Sequence, residues 1–232
     1  MSLKKNISVF TGIPNLSNND RYKNYRGFVL NALKNQQTSV NILPPYVTPP
    51  HAGEFQVGMK NRLEAIVGRM NNIVDKYMTT DAPYLWIIDG DVEPPPDALE
   101  TLLRYNVDVA SGVYPRHDFA ASNVMLFGEM LKDHSCGWFK PKVWSFMKDQ
   151  VLGEKERCAG GSGCLLIKRR VFKQHHPKLP SLRFNRDGGC GLDTLFWKRI
   201  QDAGFTARID FNVVCGHLPD YRLSKIDEWL IV

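Results

Sequence analysis

Short apolar runs alternate with amphipathic stretches over the first ninety residues. Runs at 7–10, 39–43 and 85–88 have the length of β-strands, and stretches at about 19–36 and 54–78 carry apolar residues at helical spacing. A strand, helix, strand, helix, strand order predicts parallel strands joined by right-handed crossovers. The pattern therefore predicts an α/β fold with a Rossmann-like, nucleotide-binding half over about residues 1–112.

The remaining residues, about 113–232, are predicted to form an acceptor-binding half of the same single domain. Asp97 is predicted to cap a short helix that ends near Tyr105, and 107–113 reads as a strand. The aromatic-rich stretch 119–143 indicates antiparallel strands that shape a pocket. Glycines at 160, 161 and 163 form a turn that leads into an apolar strand at 164–167. A second glycine cluster at 188–191 precedes a helix at about 192–203, and 213–215 reads as a last short strand.

Composition excludes several classes of protein. The chain has 232 residues, 43% of them hydrophobic, which suffices for a substantial core. No apolar stretch reaches the roughly 20 residues of a membrane span, and no apolar signal segment follows Lys4 and Lys5, so we expect a cytoplasmic protein. Five scattered cysteines with no C-x-x-C pair argue against a zinc ribbon and a disulfide scaffold.

The formal net charge of +6 favours an anionic ligand, such as a nucleoside diphosphate, or peripheral contact with an acidic membrane surface. Its densest basic run, 168–170, follows an apolar strand and is explained at least as well by a solvated helix face as by nucleic-acid binding. No nucleic-acid partner is predicted.

Two carboxylates, Asp89 and Asp91, follow the apolar run 85–88 and are separated by Gly90 alone. Ligands of open α/β sheets bind beyond the carboxyl ends of the strands. Adjacent carboxylates repel each other unless a cation lies between them, and hard oxygen ligands suit Mg²⁺ or Mn²⁺. The pair therefore predicts a metal and phosphate site, with a solvated Asp-Gly-Asp turn as the alternative.

His217 also follows an apolar strand and a glycine, so it is predicted either to complete this metal site or to be a hydrogen-bonded structural residue. Asp193 lies in the first turn of a predicted helix, where it suits a general base, although the helix dipole alone also favours a carboxylate there. Asp187 is the second candidate for the base.

Lys60 and Arg62 begin the long helix and are predicted to reach a diphosphate or a base, or else to be solvated. The turn containing Gly161 and Gly163 lacks the Gly-Lys-Ser/Thr that ends a phosphate-binding loop, and it precedes a strand rather than a helix. A turn that faces a sugar is therefore the preferred interpretation.

Taken together, these motifs resemble the GT-A glycosyltransferases, in particular soluble family-2-like members, over most of the chain. Asp89-Gly90-Asp91 resembles the D-x-D motif of that family. The other matching segments, in order, are 109–116, 161–167 with Arg169, Val171 and Phe172, then Asp193 with Phe196 and 203–205, and finally Gly216-His217. The resemblance implies a GT-A type domain with a mixed central sheet flanked by helices.

The resemblance also implies roles for individual residues. Asp91 would bind Mn²⁺ or Mg²⁺ directly, Asp89 would contact the metal or the donor ribose, and His217 would be the third protein ligand. The expected nucleotide-sugar contacts, besides Asp89, Gly90 and Asp91, are Thr11, Gly12 and Ile13 at the base, Lys60 and Arg62 on the long helix, and Gly161, Ser162 and Gly163 in the turn.

The activity implied by this resemblance is transfer of a sugar from a nucleoside-diphosphate sugar, with a UDP-sugar favoured, to a hydroxyl acceptor such as a glycan. With Asp193 as the base, the displacement is expected to be single-step and inverting. The family has Glu before this Asp, whereas this chain has Leu192.

Two alternatives stay open. A metal-dependent nucleotidyltransferase would have a glycine-rich, basic loop after the first strand, which 11–15 lacks. A non-catalytic carbohydrate-binding protein with a degenerate site is the other, and Leu192 is the feature that favours it.

Overall fold

The structure is a computed structural model, and it describes residues 7–14, 20–49, 59–115, 124–130, 139–143, 149–173, 183–185 and 192–218. Its helices are α1 (Asp20–Lys34), α2 (Met59–Met78), α3 (Ala98–Arg104), α4 (Arg170–Lys173) and α5 (Leu192–Asp202). Its strands are β1 (Ser8–Ile13), β2 (Asn41–Ile42), β3 (Tyr46–Val47), β4 (Tyr84–Ile88), β5 (Val92–Glu93), β6 (Val109–Val113), β7 (Val124–Met130), β8 (Phe139–Val143), β9 (Val151–Leu152), β10 (Cys158–Gly160), β11 (Cys164–Lys168), β12 (Ala207–Val214) and β13 (Gly216–His217).

The central sheet has the order β2-β1-β4-β11-β6-β12-β9, with β3 also paired to β1. β1 runs parallel to β2, β3 and β4, and β12 runs parallel to β6. β11 is antiparallel to both of its neighbours, β4 and β6. Two small antiparallel sheets, β10-β7-β8 and β13-β5, complete the described strands. The predicted α/β fold, a mixed central sheet flanked by helices, is confirmed, and strands from both halves of the chain share that sheet.

The core lies on the central strands of this sheet. The side chains of residues 85–88 in β4 and 164–167 in β11 are at most 3% exposed, as expected for strands covered on both faces. Helix α2 packs on β1, where the ring centroids of Phe10 and Tyr77 are 5.8 Å apart. A Cβ at Gly12 would lie only 2.2 Å from Cγ2 of Ile73, so glycine at this position is required by the close approach of the helix.

Three strands differ from the sequence prediction. We expected a turn from Thr11, but β1 continues through Ile13 because its backbone pairs with β4 and β3 as far as Gly12 and Ile13. The strand expected at 39–43 is shortened to β2, and a separate short strand, β3, follows Pro44 and Pro45, which lack an amide donor. β12 begins at Ala207, well before the expected 213. The prediction missed this start because polar residues interrupt the apolar pattern of the strand.

The helix predictions hold, with one local difference. α2 is described from Met59 onward, and its expected start near Glu54 lies outside the described residues. Asp97 does occupy the N-cap position of α3, but its side chain makes no capping hydrogen bond. None of the helices within the described ranges is long and apolar enough to cross a membrane.

A buried carboxylate, Asp108, ties together the amino end of β6, the amino end of β12 and helix α4. Its side chain is fully buried and accepts hydrogen bonds from Nε and Nη2 of Arg170 and from the backbone N–H and hydroxyl of Thr206, the last two at 2.9 Å. Burial by itself would raise the pKa of Asp108, but the hydrogen bonds from Arg170 and Thr206 outweigh it and lower the pKa.

We expect Asp108→Asn to lower the free energy of unfolding at neutral pH by about 1.5–3 kcal/mol, the usual contribution of hydrogen bonds to a charged group. Because the folded-state pKa lies below the unfolded value, this stabilisation is complete above the unfolded pKa and disappears as the pH falls through the folded pKa. Urea unfolding of both proteins between pH 7 and pH 3 measures it. A difference that stays constant over this range would contradict the assignment.

Candidate functional site

The carboxyl ends of β4 and β6 meet the beginning of β11 at one edge of the sheet. In the antiparallel register Cys164 lies opposite Ile88, so the turn before β11 lies beside the residue that follows β4. The backbone N–H of Asp89 donates to the carbonyl oxygen of Gly163 at 3.0 Å. The predicted acid pair and the predicted glycine turn are therefore neighbours.

Asp89 and Asp91 lie in a tight turn, closed by a 3.1 Å hydrogen bond from the N–H of Val92 to the carbonyl of Asp89. Asp91 is only 7% exposed. Burial raises the pKa of Asp89 well above its usual range, and the negative charges of Asp91 and Asp193 raise it further. The negative charges of three carboxylates, Asp89, Asp91 and Asp193, therefore interact at this turn.

Gly90, which separates the two acids, has an ordinary backbone conformation. A glycine between two carboxylates suggests a sharp turn with a positive φ, but among the described glycines only Gly153 and Gly204 have a positive φ. A Cβ at Gly90 would meet Pro14 and Ile13 at 3.6 Å and 3.8 Å, which are ordinary contacts. Gly90 is therefore not required by the backbone geometry of this turn.

His217 reaches the acid pair through the small sheet β13-β5, in which it pairs with Val92. Its Nδ1 lies 2.8 Å from the carbonyl oxygen of Pro115, and its Nε2 lies 3.9 Å from Oδ1 of Asp91. Because a carbonyl only accepts hydrogen bonds, Nδ1 carries the proton in this pair, and in the neutral ring Nε2 then has a lone pair available. A metal-binding histidine is usually held by such a bond from its other nitrogen.

Asp91 and His217 fit a divalent cation. Adjacent ligands of an octahedral Mg²⁺, each about 2.0–2.1 Å from the ion, are about 2.9 Å apart, so Oδ1 and Nε2, which are 3.9 Å apart, would bind the same ion after a side-chain movement of about 1 Å. Across the described ranges, no three His, Cys, Asp or Glu side chains are already arranged around one point. Such an ion would take its other ligands from water and substrate phosphates, and Asp89 as a third protein ligand stays a prediction.

The predicted base, Asp193, belongs to the same region. It lies in the first turn of α5, and the hydroxyl of Ser162 donates to its Oδ1 at 2.7 Å. Burial raises the pKa of Asp193, and the bond from Ser162 offsets this only in part. A carboxylate whose pKa is raised accepts a proton more readily, which suits a general base.

Sequence reasoning assigned no role to Tyr114, which is at the centre of the site. Its hydroxyl accepts a 3.0 Å hydrogen bond from the N–H of Gly163, and its ring meets the ring of His217 edge-on, with centroids 5.1 Å apart. Burial raises the pKa of Tyr114 well above its usual range, and the charges of Asp89 and Asp193 raise it further, so the phenol stays protonated. The signal in the sequence was an aromatic residue directly after an apolar strand.

Gly161 and Gly163 are required in the turn because neighbouring groups fill the space that a side chain would occupy. A Cβ at Gly161 would lie 1.9 Å from the Tyr114 hydroxyl oxygen. A Cβ at Gly163 would lie 2.9 Å from Val92 and 3.0 Å from Oδ2 of Asp89. Any larger residue at either position would displace the groups that form the site.

Of the other predicted contacts, Ile13 lies beside the acid pair, since a Cβ at Gly90 would meet its side chain at 3.8 Å. Thr11 and Ile13 are fully buried, and the space beside Gly12 is filled by α2, so their place at a nucleotide base stays a prediction. Lys60 and Arg62 belong to α2, but their side chains lie outside the description. Asp187 and the glycine cluster 188–191 also lie outside the described residues.

No known protein-family profile matches this chain, and no curated protein matches it. Among solved structures, A197 from STIV is similar at 14% identity, over 92% of this chain and 86% of that one, with a TM-score of 0.48. CMP:2-keto-3-deoxy-manno-octonic acid synthetase complexed with CTP is similar at 12% identity, over 96% and 97% of the two chains, with a TM-score of 0.47.

We expect Asp89→Asn to stabilise the metal-free protein at pH 7 by about 0.5–2 kcal/mol, because it removes a charge that burial and two neighbouring carboxylates disfavour. A carboxylate whose folded-state pKa is raised destabilises the fold above that pKa. The gain should therefore shrink as the pH falls and vanish below the unfolded pKa. Urea unfolding in EDTA measures it.

Asp108→Asn is the matched control for this experiment, since it makes the same chemical change at a buried aspartate whose pKa is lowered. The two variants should shift stability in opposite directions at pH 7. A loss of stability in Asp89→Asn would show that its carboxylate is well paired in the metal-free protein.

Proposed function

We propose that this chain is a metal-dependent glycosyltransferase that moves a sugar from a nucleoside-diphosphate sugar to a hydroxyl acceptor such as a glycan. One observation carries the proposal: Asp89, Asp91 and His217 lie beside a glycine turn at the carboxyl edge of a mixed α/β sheet, where the charge of Asp193 also acts on Asp89. Ligands of such sheets bind at that edge. A UDP-sugar is the favoured donor, from the family resemblance of the motifs.

The donor side of the reaction develops negative charge on the departing nucleoside diphosphate. Asp91 and His217 are the residues that would hold Mn²⁺ or Mg²⁺ there, with Asp89 beside them. When bound, the cation supplies a Lewis acid that offsets this charge. Gly161 and Gly163, which have no side chains, allow Tyr114 and Asp89 to pack against the turn beside this site.

The acceptor side needs a base close to the attacking hydroxyl. Asp193 suits this role because its pKa is raised and the bond from Ser162 orients its carboxylate. Attack by a hydroxyl that is activated in this way displaces the diphosphate in one step. The configuration of the sugar is then inverted.

A second candidate, a metal-dependent nucleotidyltransferase, is favoured by the closeness of Asp193 to the acid pair, since its charge acts on Asp89. Three clustered carboxylates also suit a cation-bound triphosphate. The products separate the two reactions. Sugar transfer releases a nucleoside diphosphate, whereas nucleotidyl transfer consumes a nucleoside triphosphate and releases pyrophosphate.

Donor binding should be visible as metal-dependent stabilisation. A ligand at about 100 times its dissociation constant adds about 2.7 kcal/mol, or about 5–10 °C in Tm for a domain of this size. We expect this shift with one class of UDP-, GDP- or dTDP-sugar and Mn²⁺, and its loss in Asp91→Ala. Thermal unfolding with and without Mn²⁺ measures it.

The control for that experiment is Asp81→Ala, which removes an exposed aspartate before β4 and should leave the shift unchanged. Stabilisation by nucleoside triphosphates alone would favour the nucleotidyltransferase. The absence of any shift with all sugar nucleotides would overturn the transferase proposal.

Asp193→Asn tests the base. We expect it to retain metal-dependent donor binding, because Asn can still accept the bond from Ser162, and to lower the rate of sugar transfer by about 10²–10⁴-fold. Release of the nucleoside diphosphate in the presence of acceptor measures the rate. An unchanged rate would remove Asp193 from the mechanism, and donor binding without turnover in the wild type would indicate a carbohydrate-binding protein.

A further inference from the structure

We infer that Tyr114 is a positioning residue that holds His217 and the glycine turn 161–163 against the acid pair. The inference rests on the proposed function, because it assigns Tyr114 to the proposed metal and donor site. Tyr114 is itself 5% exposed and follows β6 directly, so it is fixed by the central sheet.

The first connection runs through its hydroxyl. The N–H of Gly163 donates to Tyr114 at 3.0 Å, and the carbonyl of Gly163 accepts the N–H of Asp89, also at 3.0 Å. Gly163 is therefore held on one side by the phenol and on the other by the acid pair. Removing the hydroxyl would leave a buried N–H without a partner and loosen the turn next to Asp89.

The second connection runs through its ring. Tyr114 meets His217 edge-on at 71°, and the next residue, Pro115, accepts the hydrogen bond from Nδ1 of His217. The imidazole is thus fixed at two points by consecutive residues of one strand end. These contacts leave Nε2 as the nitrogen that lies 3.9 Å from Asp91.

The third connection is steric. The phenol oxygen occupies the space where a side chain at Gly161 would begin, only 1.9 Å from a Cβ built there. An alanine at Gly161 would therefore push the phenol away from both Gly163 and His217. Two independent substitutions, one at each side of this contact, should produce the same defect.

Residues that orient a metal ligand change metal affinity by about 10–100-fold when they are replaced. We therefore expect Tyr114→Phe to weaken binding of Mn²⁺ by about 10-fold or more. The measurement is the dissociation constant for Mn²⁺ alone, from the electron paramagnetic resonance signal of the free ion titrated against the full chain.

The matched control is Tyr105→Phe, which removes a phenol hydrogen bond of 2.7 Å to Asp210, outside the cluster. Both variants should lose some stability, but only Tyr114→Phe should change the affinity for Mn²⁺. A purely structural role for Tyr114 would lower stability and leave the affinity unchanged, and that result would overturn the inference.

Gly161→Ala provides the second variant, with Gly27→Ala as its control because a Cβ at Gly27 has nothing within 4 Å. We expect Gly161→Ala to weaken Mn²⁺ binding as Tyr114→Phe does, and the double variant to lose less than the product of the two losses, since both act through the phenol. Fully multiplicative losses would overturn this shared route.

Binding of Mn²⁺ by the wild type distinguishes the role of Tyr114 from the existence of the metal site. Equal Mn²⁺ affinity in the wild type, Tyr114→Phe and Gly161→Ala would overturn the role of Tyr114 and leave the proposed metal site intact. Failure of the wild type itself to bind Mn²⁺ would overturn the metal site and the inference with it.

Discussion

The antiparallel placement of β11 between β4 and β6 is the constraint on which the rest of the structure depends. Because β11 runs against both neighbours, its first residue lies beside their carboxyl ends. The glycine turn that enters β11 is therefore carried to the same edge as Asp89, which follows β4, and Tyr114, which follows β6. In an all-parallel sheet this turn would lie at the opposite edge, away from the acids.

The pKa values of two aspartates are shifted in opposite directions at the two ends of the sheet. At the amino end of β6, Asp108 is paired with Arg170 and Thr206, which lower its pKa, and it links three elements. At the carboxyl edge, Asp89 lies near two other carboxylates, and its pKa is raised. Asp108 is therefore fully paired, whereas the electrostatic cost of neighbouring like charges is concentrated at the carboxyl edge, where a bound cation would relieve it.

Much of the fold could be predicted from the sequence because apolar periodicity is a local property. The sequence predicted the positions of helices α1, α2, α3 and α5 and of the strands of the core, among them β4 and β11. Apolar periodicity did not predict the limits of two strands. β1 extends through Ile13 because it pairs with β3 and β4. The start of β12 was missed because Arg208, Asp210 and Asn212 interrupt its apolar pattern. Strand limits depend on neighbours that are distant in the chain.

The sequence by itself determined which types of side chain the candidate site contains. Two acids separated by one glycine after an apolar strand, and a histidine and an aspartate at other element ends, indicated a cation and a base without any coordinates. Only the tertiary structure decided which groups meet. The contact of Tyr114 with Gly161, Gly163 and His217 joins positions about 50 and 100 residues apart, and the protonation of His217 at Nδ1 depends on the carbonyl of Pro115. The sequence specifies the type of each side chain, whereas the orientation and burial of these side chains are established only when distant segments pack together.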